Sequence, residues 1–234
     1  MLKTTTHNTM HNNLKAADPT TFNDIFTQLQ QHYGHLPWWP ADTEYEMMVG
    51  AILTQNTNWK NVEKALANLA GHLTGKIAPQ QILAMPLDTL AQLIRSSGYY
   101  NQKAIKLKAL TLWYQKYDFD ISQARCIEGA TLRIELLAVN GIGPETADSI
   151  LVYALDKPFF IIDNYTRRIL HRIGFELPTG YDKLRLLLEQ NIPRNITTYQ
   201  QYHALLVEHA KRYCTKIPQC QHCPLYCCCQ KNIE

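Results

Sequence analysis

Apolar residues recur every three or four positions along most of this chain, the period of a helix with one buried face. The first such stretch opens at Thr21, where Phe22, Ile25, Phe26 and Leu29 share a face and Gly34 supplies a stop. Thr43 and Glu46 have capping-box spacing ahead of Met48, Val49, Ile52 and Leu53, and Val62, Ala65, Leu66 and Leu69 mark the next helix. Further helices are predicted over Asp88 to Ser96, Tyr100 to Tyr117, Thr131 to Leu137, Pro144 to Leu155, Asn164 to Ile173, Tyr181 to Gln190 and Thr198 to Tyr213. Sustained alternation of period two is absent, except that Lys157 to Ile162 reads as a short extended link. No tandem repeat is visible. The fold class is therefore all-α. Met1 to Pro19, polar and rich in Thr, Asn and His, is expected to be disordered.

Composition narrows this picture only a little. A chain of 234 residues with 46% hydrophobic content can build one large domain or two small ones. No run approaches a membrane span and the start lacks a secretory apolar core, so a cytoplasmic location away from membranes is expected. A net charge of +3 permits a polyanionic partner but does not demand one. Cysteine usage says more. Six of the seven lie between Cys214 and Cys229, with Cys126 alone, a clustering that suits a metal centre better than a disulfide framework.

The segment Leu136 to Asp148 joins two apolar helical stretches through Gly141 and Gly143, with Pro144 where a first helical turn tolerates it. Such a helix-hairpin-helix lets the backbone approach a surface closely, and the second helix then offers unpaired N–H groups and a positive dipole end to a phosphate. An ordinary helix connection would look the same. Downstream, Phe159-Phe-Ile-Ile-Asp163 delivers an aspartate to the start of a helix carrying Arg167 and Arg168. By itself Asp163 could be no more than an N-cap.

The hairpin, the aspartate and the cysteine cluster, in that order, resemble the endonuclease III superfamily of base-excision DNA glycosylases over about Thr21 to Cys229. The resemblance implies two helical lobes with a DNA cleft between them: a barrel over 39–157 bearing the hairpin, and a second lobe over 158–234 on which 1–38 packs. It implies duplex DNA with a damaged base as substrate, a base flipped from the stack, and a monomeric enzyme. Asp163 becomes the catalytic residue, and Gly141, Gly143, Glu145, Thr146, Arg167 and Lys211 become DNA contacts. Members that also nick the strand carry a lysine two residues after the second hairpin glycine, for a Schiff base. Glu145 stands there, which implies a monofunctional enzyme that uses water.

The stretch from Thr43 to Val62 is similar to the branch typified by 3-methyladenine DNA glycosylases. On that likeness Trp38, Trp39 and Trp59 line the base pocket, where a cationic alkylated purine over an indole face gains about 2 kcal/mol or more once desolvated. Gln55 becomes the residue that fills the gap left by the flipped nucleotide, assisted by Asn56. Cys214-x5-Cys220-x2-Cys223-x5-Cys229 supplies four thiolates for a [4Fe-4S] cluster, although the first gap is one residue shorter than usual and Cys227 and Cys228 compete with Cys229. A four-cysteine zinc site is the rival. Two other functions stay open: an oxidised-pyrimidine glycosylase/lyase like endonuclease III, and a non-catalytic iron-sulfur DNA-binding protein.

Overall fold

Several helix starts along the chain are set by polar residues that accept from first-turn amides. In the computed structural model, which describes residues 20–37, 39–73 and 75–233, Thr21 opens α1 (Phe22–Tyr33) in a reciprocal capping box with Asp24. Thr43 opens α2 (Glu44–Leu53), and Asn58 opens α3 (Trp59–His72). At Thr43 only half of the expected box forms: its hydroxyl accepts from Glu46 N–H at 3.1 Å, while the Glu46 carboxylate accepts from the Asp42 backbone instead.

The predicted segment Asp88 to Ser96 is split into α5 (Leu87–Leu93) and a 3-10 turn, and the short α4 (Pro79–Ala84) before it and α7 (Ile121–Cys126) were not anticipated. Six residues hold fewer than two turns of periodic pattern, too few to stand out from loop sequence. The remaining helices are α6 (Tyr100–Gln115), α8 (Gly129–Ala138), α9 (Pro144–Tyr153), α10 (Asn164–Ile173), α11 (Tyr181–Asn191) and α12 (Ile196–Arg212). Among the described residues there is no strand, so the all-α class holds.

Two hydrophobic cores result. One is built by α2 to α9; the other by α1, α10, α11 and α12 with the C-terminal loop. The chain between α9 and α10 divides its side chains between them: Phe159 and Ile161 enter the first core, Phe160 and Ile162 the second. All four are at most 8% exposed, and each such burial contributes about 1.5–3 kcal/mol. With no neighbouring strand, the buried amides are satisfied by α11. Phe160 N–H donates to Glu189 Oε1 at 2.8 Å and Ile162 N–H to the Tyr181 hydroxyl at 3.3 Å.

An ion-pair network closes over this link. The fully buried Asp148 of α9 accepts from Arg133 Nε of α8 at 2.6 Å and lies 3.9 Å from Arg185 of α11, and Arg133 also reaches Asp182 at 2.6 Å. Both guanidinium groups sit over the Phe159 ring. Burial pushes the Asp148 carboxyl up even with Arg133 bonded to it, so its partners are what make the site tolerable. Asp148→Ala, which strands two nearly buried arginines, should destabilise the fold by about 3–5 kcal/mol in urea unfolding. A change below about 1 kcal/mol would show that Asp182 and Glu189 alone neutralise them.

Candidate active site

The hairpin forms between α8 and α9 as the sequence requires. Gly141 has φ +83°, and a Cβ there would run into the Lys106 side chain, so the position is closed to other residues by both backbone and space. Gly143 is the N-cap of α9 and Pro144 its first residue; no side chain caps this end. First-turn amides of Glu145 and Thr146 therefore remain open to an anion. Gln55, in the turn after α2, is bound onto the hairpin: its Nε2 donates to Gly141 O at 3.1 Å and to Thr146 Oγ1 at 3.0 Å. Lys106 Nζ donates to Gln55 Oε1 at 2.6 Å. Beneath this turn the buried Lys103 donates to Leu53 O and Ser97 O, at 2.8 and 2.6 Å, and burial with the nearby Lys106 lowers its pKa to about 8. Asn56 is exposed, with a left-handed φ of +55°.

Asp163 follows the extended link and caps α10, its Oδ1 accepting from Thr166 N–H at 2.7 Å. Its Oδ2 lies 3.7 Å from His203 Nε2 of α12, an ion-pair distance rather than a hydrogen bond, and the carboxylate is only 12% exposed. Burial alone would raise its pKa, but His203 and the Thr166 bonds together bring it below the ordinary value. Glu145 behaves oppositely. Although it is exposed, the protein around its carboxyl desolvates it and the Asp163 charge repels it, so its pKa rises.

Aromatic rings connect to this carboxylate through His203. Trp39 meets Trp59 edge-on at 5.6 Å and Tyr153 at 5.5 Å, and the Tyr153 hydroxyl is 2.7 Å from His203 Nδ1. Trp39 lies flush on Gly50 of α2, where a Cβ would stand 3.0 Å from its indole nitrogen. Thus Trp59, Trp39, Tyr153, His203 and Asp163 form one continuous series of contacts. Trp38 falls outside the described residues. Arg167 Nη1 donates to Pro178 O at 3.1 Å, and Lys211 is exposed in the last turn of α12. Sequence reasoning missed Tyr153, His203 and Lys106. A trace of His203 was present, since Gln200 and His203 are polar residues on a face that α12 otherwise fills with Tyr199, Tyr202 and Leu206.

At the far end of α10 the C-terminal loop wraps a cavity lined by Cys214, Cys220, Cys223 and Cys229. Burial pushes the Cys223 thiol up to about 11, and the other three of this set add to the shift. Cys228 instead donates to Leu225 O and Gln28, and Cys227 is exposed. Arg172 Nη1 lies 3.4 Å from Cys214 Sγ and donates to Thr215 O at 2.7 Å; His209 Nε2 is 3.5 Å from Cys223 Sγ. Among the described residues no group of three or more His, Cys, Asp or Glu is placed to hold a single ion. A mononuclear zinc site would need its sulfurs to converge on one point at about 2.3 Å.

A helix end open to phosphate and a carboxylate sunk between two lobes suit an enzyme that grips DNA and works on one nucleotide. Residues 49–194 match the HhH-GPD superfamily of base excision DNA repair proteins, and the chain belongs to that superfamily. It is similar to a provisionally named DNA repair glycosylase of Methanocaldococcus jannaschii, 45% identical over 86% of this chain and 92% of that one. Endonuclease III of Sulfolobus acidocaldarius is 29% identical over 78% and 81% of the two chains. Among solved structures, the H. pylori 3-methyladenine DNA glycosylase MagIII bound to 1,N6-ethenoadenine superposes with TM-score 0.72 at 29% identity, covering 81% of this chain and 96% of that one. A non-covalent endonuclease III–DNA complex shares the fold, with TM-score 0.75 at 22% identity over 89% and 94%. The protein is a DNA glycosylase of this superfamily.

Proposed function

We propose that this glycosylase flips cationic alkylated purines such as 3-methyladenine out of duplex DNA, hydrolyses their N-glycosidic bond with Asp163, and stops at the abasic site. The observation that carries the reading is the contact series joining two tryptophans and Tyr153 to a buried, ionised Asp163, with Glu145 where a lyase would need an amine. A purine alkylated on a ring nitrogen is positive and leaves as a neutral base, so it needs no strong general acid. Indole faces favour that charge over neutral adenine. As the bond breaks, positive charge builds on the sugar, and a fixed carboxylate in a dry site stabilises it most. The likeness to MagIII, named as a 3-methyladenine DNA glycosylase, supports this choice of substrate class.

DNA would be held by the α9 N-terminus at Gly143, Glu145 and Thr146, with Gly141 allowing close approach and Arg167 and Lys211 adding positive charge. Gln55, now bound to the hairpin, and Asn56 at the turn tip would fill the space left by the flipped nucleotide. Endonuclease III relatives keep a glycosylase/lyase as the second reading. Against it, Lys106 is engaged by Gln55 and Lys157 Nζ by Arg125 O at 2.7 Å, so neither amine is free for a Schiff base.

The four cysteines around one cavity fit a [4Fe-4S] cluster, with Cys229 rather than Cys227 or Cys228 as the fourth ligand. When bound, the cluster would supply a rigid crosslink of the loop rather than hydrolytic chemistry.

Asp163→Asn should bind abasic-site duplex normally yet lose at least about 100-fold in single-turnover release of methylated purines, while wild type leaves thymine glycol in place. Near-normal release by the variant would remove Asp163 from the chemistry. Borohydride added during turnover should trap no protein–DNA adduct, with strand breaks appearing only after alkali; efficient trapping would establish a lyase. Purified protein should carry about four irons per chain. That content should drop in Cys229→Ser and persist in Cys227→Ser and Cys228→Ser; stoichiometric zinc in iron-replete cells would favour the mononuclear site instead.

A further inference from the structure

We infer that His203 is a positioning residue for base excision, holding the Asp163 carboxylate between α12 and α10 while Tyr153 holds His203. This rests on Asp163 being the catalytic residue, as proposed above. His203 is 8% exposed and joins two groups across the lobes: the Tyr153 hydroxyl at 2.7 Å from Nδ1 and Asp163 Oδ2 at 3.7 Å from Nε2. Its Nε2 is buried with no hydrogen-bond partner, an arrangement that costs desolvation unless a nearby charge uses it. When Tyr153 donates to Nδ1, the ring proton sits on Nε2 and faces the carboxylate. An imidazolium would face it with the same N–H, the tyrosine oxygen then accepting.

The two Asp163 oxygens are thereby held from different elements, Oδ1 by the Thr166 amide on its own helix and Oδ2 by His203. Such a clamp is needed because Glu145 approaches from α9 with like charge and burial also favours the protonated acid. These groups, with Tyr153 of α9, are the titratable neighbours that face Asp163. A protonated Asp163 could not stabilise the sugar as the C1′–N electron pair leaves with the purine. The 3.7 Å separation in DNA-free protein is long, as catalytic contacts often are before substrate closes the site. Tyr153 also touches Trp39, so base seating and carboxylate orientation share one side chain.

The test uses full-length His203→Gln and Tyr153→Phe with Asp163→Asn as reference, on duplex containing methylated purines. His203→Gln should lower single-turnover release by about 10- to 100-fold without weakening binding to abasic-site duplex. Because His203 lowers the Asp163 pKa, its loss should move the acid limb of the rate profile to higher pH, a shift that gap filling by a buried histidine would not produce. Tyr153→Phe should move the limb in the same direction with a smaller loss of rate, and His203→Gln should add nothing on an Asp163→Asn background. An unchanged rate and acid limb in folded His203→Gln would overturn the inference. Should that variant not fold, an unmoved limb in Tyr153→Phe overturns it equally. Full activity in Asp163→Asn would instead bring down the assignment of Asp163 itself.

Discussion

Four consecutive side chains hold this molecule together at its most sensitive point. In an extended segment successive residues face opposite ways, so Phe159 and Ile161 commit to one core while Phe160 and Ile162 commit to the other. A shift of the link by one residue would exchange both pairs and place two large apolar groups in each wrong core. The next residue is Asp163, whose backbone position is thereby specified by hydrophobic packing on both sides, its polar contacts orienting only the carboxylate. Arg133 and Arg185, covering Phe159 and clasping Asp148, close the seam from outside.

That placement creates an electrostatic problem which the surrounding helices resolve unequally. Three carboxyls lie near the junction. Asp148 is pushed toward the neutral form by burial despite its arginines and Glu145 by desolvation and the Asp163 charge, whereas Asp163 remains on the ionised side through the facing His203 of α12 and the Thr166 amide of α10. Neighbouring carboxyls with divergent proton affinities are what the proposed chemistry needs to keep one permanent anion at the sugar. Asp163 serves a second purpose as the N-cap of α10, where a removed cap typically costs about 1 kcal/mol. Its two oxygens allow both roles at once.

Much of this was legible in the sequence because it rests on local chemistry. The hairpin glycines, Pro144, Asp163 and the cysteine spacing each belong to short segments whose residue types dictate their geometry. The short helices α4 and α7 escaped because their patterns are brief. Capping partners were only half legible: Thr43 was read correctly, but Glu46 turned to Asp42, a choice between two nearby amides that spacing does not decide. His203 left only a faint trace and Tyr153 none, for a different reason. They lie 40 and 10 residues from Asp163 along the chain, and only the crossing of α9 and α12 brings them to it. Gln55 was legible as a turn residue, while its bonds to Gly141 and Thr146 depend on how the α2 turn docks on the hairpin.

The same reasoning explains how the proposed cluster could matter to hydrolysis it does not perform. Helix α10 is only ten residues long, about 15 Å, with Asp163 at one end and the cysteine loop at the other. Arg172 in its last turn donates to Thr215 O and lies against Cys214, the amide of Asn232 donates to Arg172 O, and that of Gln230 to Ile173 O. Gly174, at φ +119°, holds a left-handed backbone that other residues rarely adopt, with the Gln230 side-chain amide lying over it. The C-terminal loop thus fastens the end of the helix whose beginning is capped by Asp163, the carboxylate proposed to act on the sugar. A helix this short is marginal on its own, so its orientation comes from what it packs against. A loosened cysteine loop would act on the active site through the axis of α10, as misorientation of Asp163, before any loss of the overall fold.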